Sequence, residues 1–165
     1  MKKIITTSII LVLVLSGTME AKDRTEGFNS TAVAMITSLQ QSCSEKYVSL
    51  FPSLKELRQR ANANSKTYGL NHKEAMEAYA KSYSQDLLAV RNSFNELIQD
   101  GKNNGIDWRA VRFISYEYVP CTGKQNVGTF SILFSSEGRL LRIQIEKAIV
   151  VNGNLRVSHH ISLVS

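Results

Sequence analysis

The stretch LLRIQIEKAIVVNGNLRVSHHISLV, residues 140–164, decides the fold. Leu141, Ile143, Ile145 and Ile149 share one side of a period-two pattern, and Leu155, Val157, Ile161 and Leu163 do the same beyond Asn152-Gly153-Asn154. Alternation on both sides of a turn signal is the mark of a β-hairpin with one buried face. A two-residue Asn152-Gly153 turn sets Ile149 opposite Arg156 and Ile145 opposite His160, apolar against polar throughout. A three-residue loop Asn152-Gly153-Asn154 instead pairs Val151 with Leu155, Ile149 with Val157, Ile145 with Ile161 and Ile143 with Leu163. A slip of one residue moves every side chain to the other face, so the three-residue loop is the expected one.

That register isolates one pair. Lys147 falls opposite His159 on the face otherwise made of Ile and Val, and Glu146 falls opposite His160 on the polar face. Burying an unpaired ammonium is costly. Lys147 therefore either extends to water at the sheet margin beside an ordinary core histidine, or lines with His159 a polar spot in an apolar pocket. The first strand adds Tyr116 and Tyr118, or Ser115 and Glu117, to the same face. Lys147, His159, Tyr116 and Tyr118 are accordingly the candidate ligand-binding residues.

Two further strand candidates, 111–119 and 127–134, precede the hairpin strands 140–151 and 155–164, with no helix between any of them. Neighbours joined this closely pair antiparallel. Upstream the period is 3.6. Val33, Ile36, Leu39, Cys43, Tyr47 and Leu50 predict a helix over 29–50, ended by Phe51-Pro52 because proline disfavours helix in the residue before it. Ser53 with Glu56 forms a capping box for a short helix through 63. Residues 62–66 read as a loop, Asn71 with Glu74 as a second cap, and Met76, Tyr79, Tyr83, Leu87, Val90, Phe94 and Leu97 as one face of a long helix over about 71–100. The predicted class is α+β: N-terminal helices, one of them long, packed on a four-stranded antiparallel meander.

The first 21 residues stand apart. Lys2 and Lys3 precede the apolar run Ile9 to Leu15, small residues follow, and charge resumes at Lys22 after Ala21. This is the order of a secretory signal peptide, and the run is shorter than the roughly 20 residues a membrane span needs. Leu15-Ser16-Gly17-Thr18 resembles a lipobox, but Thr18 stands where the lipidated cysteine belongs, so lipidation is not predicted. The expected protein is exported, periplasmic or secreted, meeting the membrane only through its leader, with residues 22–165 as a single domain. Removing the leader takes Lys2, Lys3 and Glu20 and lowers the net charge from +6 to +5. Cys43 and Cys121 remain in a compartment where thiols oxidise, and are candidates for one disulfide.

Composition and spacing exclude much. With 43% hydrophobic residues, 9 Gly, 2 Pro and 2 Cys, the chain is neither disordered, collagen-like nor a disulfide-dense miniprotein. No metal site is expected: His159 and His160, adjacent in a strand, point to opposite faces, and two cysteines without nearby histidines do not hold zinc. Gly123-Lys124 is followed by Gln125 rather than Ser or Thr, and Tyr118 occupies the place of the first glycine, so it is no phosphate loop. No nucleophile elbow is present, no catalytic residue is assigned and no cofactor is expected. The basic residues are dispersed and not interleaved with aromatics, which argues against nucleic acid.

The order of elements, with Phe51-Pro52-Ser53-Leu54 before the second helix and Asp107-Trp108 leading into the first strand, resembles the nuclear-transport-factor-2-like and cystatin-like folds of small exported bacterial proteins. The resemblance implies a sheet that wraps a helix. The enzymes of such folds use an Asp-His pair that has no counterpart here, so their catalysis is not implied. The reading taken forward is a non-enzymatic exported domain binding a small ligand or an envelope protein at the concave sheet face. The alternatives are a structural or inhibitory protein acting through a sheet edge or the helix over 53–63, and an enzyme using His159 as acid or base with Tyr116, Tyr118 or Glu117. The sequence does not fix the oligomeric state.

Overall fold

The computed structural model describes residues 25–60 and 72–164, and there the helices precede a curled antiparallel sheet. The signal-peptide segment, the 62–66 loop and the Asn71 cap lie outside the described residues. Among the described residues four helices come first: α1 over 25–40, α2 over Ser44–Val48, α3 over 54–60 and the long α4 over His72–Asn103. A 3-10 turn, Trp108–Ala110, leads into β1 (Arg112–Cys121), β2 (Lys124–Ser136), β3 (Arg139–Val151), β4 (Asn154–Arg156) and β5 (Ile161–Val164). The sheet order is β1-β2-β3, with β4 and β5 following one another along the far edge of β3.

The helix expected over 29–50 is two helices. Ser42 takes a left-handed backbone (φ 49°), its N–H donates to Leu39 O at 3.0 Å, and the Cys43 N–H donates to Ser38 O at 2.9 Å. That pair of bonds is a Schellman stop. The chain then restarts as α2. The long helix ends the same way three residues beyond the expected 100: Gly105 is left-handed (φ 71°), with Gly105 N–H to Lys102 O at 3.0 Å and Ile106 N–H to Gly101 O at 2.8 Å. The capping box forms as expected, since the Glu56 N–H donates to Ser53 Oγ at 3.2 Å and the Ser53 N–H to Glu56 Oε2 at 2.8 Å.

The core fills the space between helices and sheet. Ala32, Met35, Ile36 and Leu39 of α1 and Val90, Phe94, Leu97 and Ile98 of α4 pack on Phe130, Ile132, Phe134, Ile143, Ile145 and Leu155. Burying each of the larger side chains contributes roughly 1.5–3 kcal/mol. Tyr47 of α2 stacks on Phe94 with ring centroids 5.0 Å apart, and Trp108 covers Phe134 at 5.7 Å while its indole N–H donates to Ile98 O at 3.0 Å. Thr31 Oγ1 donates to Leu155 O at 3.1 Å, which ties α1 to β4. The concave side of the sheet is thus occupied by helix side chains.

The last hairpin departs from the expected register near its turn and keeps it farther away. Asn152 (φ 51°) and Gly153 (φ 78°) form a two-residue turn, with Val151 paired to Asn154, Val150 to Leu155 and Ile149 to Arg156. The expected three-residue loop, with Val151 opposite Leu155 and Ile149 opposite Val157, is therefore corrected. An Asn-Gly pair suits the doubly left-handed turn that matches strand twist. Beyond the break, Ile145 pairs with Ile161 and Ile143 with Leu163, as the apolar pattern requires. One extra residue within 157–160 absorbs the difference and splits the fourth strand in two. A second irregularity lies in β3, which has one more residue than β2 between the pairs Gly128–Ala148 and Phe130–Ile145. Such bulges bend a strand and raise its twist, and here they re-aim Glu146 and Lys147.

Candidate functional site

Lys147 does not lie on the apolar face. It has a left-handed backbone (φ 54°) and an exposed side chain, and the buried Ala148 takes the next inward position. Its ammonium is 3.4 Å from Nε2 of His160, not paired with His159. The imidazoles of His159 and His160 lie side by side with centroids 4.0 Å apart. The expectation that the two histidines point to opposite faces is corrected, because 157–160 is a break between strands and has no strand alternation. The backbone there is held from several sides. Glu146 N–H donates to His160 O at 2.9 Å, Val157 N–H to Leu50 O at 3.1 Å, Tyr47 hydroxyl to Ser158 O at 3.3 Å, and Ser158 hydroxyl to Glu146 O. Burial, then the neighbouring His159 and Lys147, hold the His160 imidazole below its usual value, with Glu146 acting in the opposite sense. Burial pushes the Tyr47 phenol far above the ordinary tyrosine value, so it stays a neutral donor.

Tyr116 and Tyr118 belong elsewhere. Both lean from β1 onto α1: Tyr116 hydroxyl donates to Thr25 O at 2.9 Å, its ring lies 5.8 Å from Phe130, and Tyr118 meets Phe28 edge to face at 5.2 Å. Burial raises the Tyr116 phenol. Gly128 makes room for Tyr118, since a Cβ there would sit 2.8 Å from the ring. β1 is separated from β5 by β2 and β3, so the tyrosines and the Lys147 cluster are not brought together. Cys43 and Cys121 are both free thiols, and the expected bridge is corrected on geometry. Cys43 follows Gln40, whose Nε2 donates to Val111 O just before β1, whereas Cys121 ends that ten-residue strand. A strand of that length spans about 30 Å, and a disulfide needs Cα atoms within roughly 7 Å.

The outward face of the sheet carries a feature that the sequence reading missed. Leu133 and Val164 both pair directly with Arg142, from β2 and β5, and Leu140 lies two residues along β3 on the same side. Arg112 is one row away, since both it and Leu140 pair with Ser135. Leu140 is 66% exposed, Ile114 45% and Val164 40%. Neither Arg112 nor Arg142 makes an ion pair among the described residues. The signal for this patch was the polar side of the same alternation, where Leu140, Leu133 and Val164 interrupt charged and hydroxyl residues. Both sheet edges are blunted by contrast: β1 carries a bulge at Ile114 and has Pro120 next to its last residue, and the far edge is broken at 157–160. Such features discourage added strands.

No group of three or more His, Cys, Asp or Glu side chains among the described residues is placed to hold a metal ion, and no described helix is long and apolar enough to cross a membrane. No protein-family model, curated protein or solved structure matches the chain.

Proposed function

We propose that the chain is an exported, non-enzymatic binding protein whose outward sheet face docks an acidic segment of a partner protein around Arg142. One observation carries the reading: the register sets half-buried Leu133 and exposed Val164 on either side of Arg142 with exposed Leu140 beside it, apolar side chains flanking a guanidinium that has no carboxylate partner among the described residues. Interface cores are enriched in arginine and large apolar residues, and an exposed contiguous apolar patch marks an interaction site more often than chance. The partner is acidic because Arg112 and Arg142 both present unneutralised charge, and a second copy of the chain would set these guanidinium groups against each other. Export rests on the leader pattern of residues 1–21. The helices and curled sheet make an α+β fold whose concave face is occupied by α1 and α4.

The test places a photo-crosslinking benzophenone side chain at position 140 of the full chain in its host, with exposed Gln99 of α4 as the control position. The expected result is an adduct from 140 to a peptide rich in Asp and Glu, absent from 99 and abolished by Arg142→Glu. Equal adducts from both positions, a crosslink to the chain's own peptides, or an adduct that survives Arg142→Glu would each overturn the reading.

A further inference from the structure

The Lys147 cluster is not used by that docking face. A left-handed backbone costs a residue other than glycine on the order of 1 kcal/mol, yet a lysine holds it at φ 54°, and residues kept in such conformations gather at functional sites. The lysine ammonium can only donate, so its 3.4 Å contact requires Nε2 of His160 to accept, which means a neutral ring carrying its proton on Nδ1. Protonation of His160 turns that acceptor into a donor. Lys147 and His160 then make two neighbouring cationic groups, with the His159 ring beside them as a further N–H donor, all reaching solvent, and with Glu146 as the opposing carboxylate. The charges acting on His160 are His159, Lys147 and Glu146, and none from α2 or α4 adds to them among the described residues. The hydroxyls of Tyr47 and Ser158 are already committed to backbone carbonyls.

We propose that Lys147, His159 and His160 form a site for a tetrahedral oxyanion of the phosphate or sulfate type that fills as the pH falls below neutral. Three neighbouring donors suit a group with several acceptor oxygens, and the anion replaces the repulsion between Lys147 and the protonated His160 with charge-assisted hydrogen bonds. At neutral pH the Lys147–His160 hydrogen bond closes the site. The coupling is reciprocal: whatever factor protonation adds to anion affinity, the anion must return as a raised histidine titration midpoint.

Inorganic sulfate is the probe, because its charge does not change across the range. The ring resonances of His159 and His160 are followed by NMR from about pH 5 to 8, with and without sulfate. Sulfate is expected to raise the midpoint of His160 and to bind about tenfold tighter at acid than at neutral pH. Lys147→Gln and His160→Gln should remove the effect, and Arg142→Glu should leave it intact, so this site and the docking face fail separately. A parallel sedimentation with vesicles containing phosphatidylglycerol separates sources: pelleting that depends on Lys147 and acid assigns the anion to a lipid headgroup, and a response to sulfate alone assigns it to a free ion. Histidine midpoints that do not move with sulfate, or a Lys147→Gln variant that responds like the natural protein, would overturn the proposal.

Discussion

Arg156 donates to Glu56 Oε1 through Nε at 2.9 Å and Nη2 at 2.7 Å, joining the helix α3 cap to β4 across 100 residues of chain. The other carboxylate oxygen of Glu56 accepts from Ser53, so one side chain completes a local cap and a long-range ion pair. Burial alone would raise the Glu56 carboxyl, but the Ser53 hydrogen bonds and the Arg156 guanidinium outweigh it and hold it below the usual value. The pair is mostly shielded, with side-chain exposures of 27% and 16%. Arg156→Ala is expected to destabilise by about 1–3 kcal/mol, read by urea unfolding. A lowered folded-state value means that this contribution is present above the ordinary carboxylate range and lost as pH falls below it. The Arg156→Ala penalty should therefore shrink on acidification toward about pH 3, and a penalty independent of pH would refute the pairing as its cause.

Gly101 lies within the described span of α4, where alanine ordinarily stabilises by about 1 kcal/mol. Here the sign is expected to reverse. A Cβ at 101 would lie 2.2 to 2.5 Å from the Trp108 indole, whose N–H is fixed to Ile98 O. Overpacking of this kind costs typically 1–3 kcal/mol. Gly101→Ala should lower the thermal midpoint and alter the Trp108 fluorescence, while Gln99→Ala, exposed two residues earlier, should leave both unchanged.

Much of this architecture could be read from periodicity, and the failures share a cause. The long helix, the capping box and the pairs Ile145–Ile161 and Ile143–Leu163 all follow from repeats of 3.6 or 2 and from local caps. Lys147 was misplaced because two sound signals conflicted: Asn152-Gly153 asks for a two-residue turn, and the apolar pattern asks for the register of a three-residue one. The chain satisfies both by putting an extra residue at 157–160, and a fixed period cannot represent a bulge. His160 entered the candidate site only through that insertion. The α1 stop at Ser42 was hidden because serine, unlike glycine, carries little signal for a left-handed cap. The Arg142 patch and the Glu56–Arg156 pair depend on which strands become neighbours, which no local window contains.

Ser42 and Gly105 perform the same task at the ends of α1 and α4, both left-handed, with φ of 49° and 71°. Glycine takes that conformation without the Cβ penalty. Ser42→Gly is expected to stabilise the protein by about 0.5–1 kcal/mol, and Gly105→Ala to destabilise it by a similar amount. Differential scanning calorimetry of the two variants checks the pair. Opposite shifts support the Schellman geometry at both ends, and a Ser42→Gly variant that loses stability would count against a left-handed residue at 42.

His160 supplies a pH dependence separate from that of Glu56. Its folded-state value lies below the ordinary 6.5, so near neutral pH it is uncharged both folded and unfolded. As the pH falls through the unfolded value, the unfolded chain takes up a proton that the folded chain resists, and stability declines until the folded value is passed. With low salt and no oxyanion present, the unfolding free energy should therefore slope downward as the pH drops from neutral toward the folded value. His160→Gln should flatten this segment of the profile without changing the acid segment set by Glu56. Lys147→Gln should flatten it in part, because it removes one of the neighbouring charges that resist protonation. A profile in which His160→Gln retains the full slope would show that the His160 imidazole does not set the stability of the β4–β5 break.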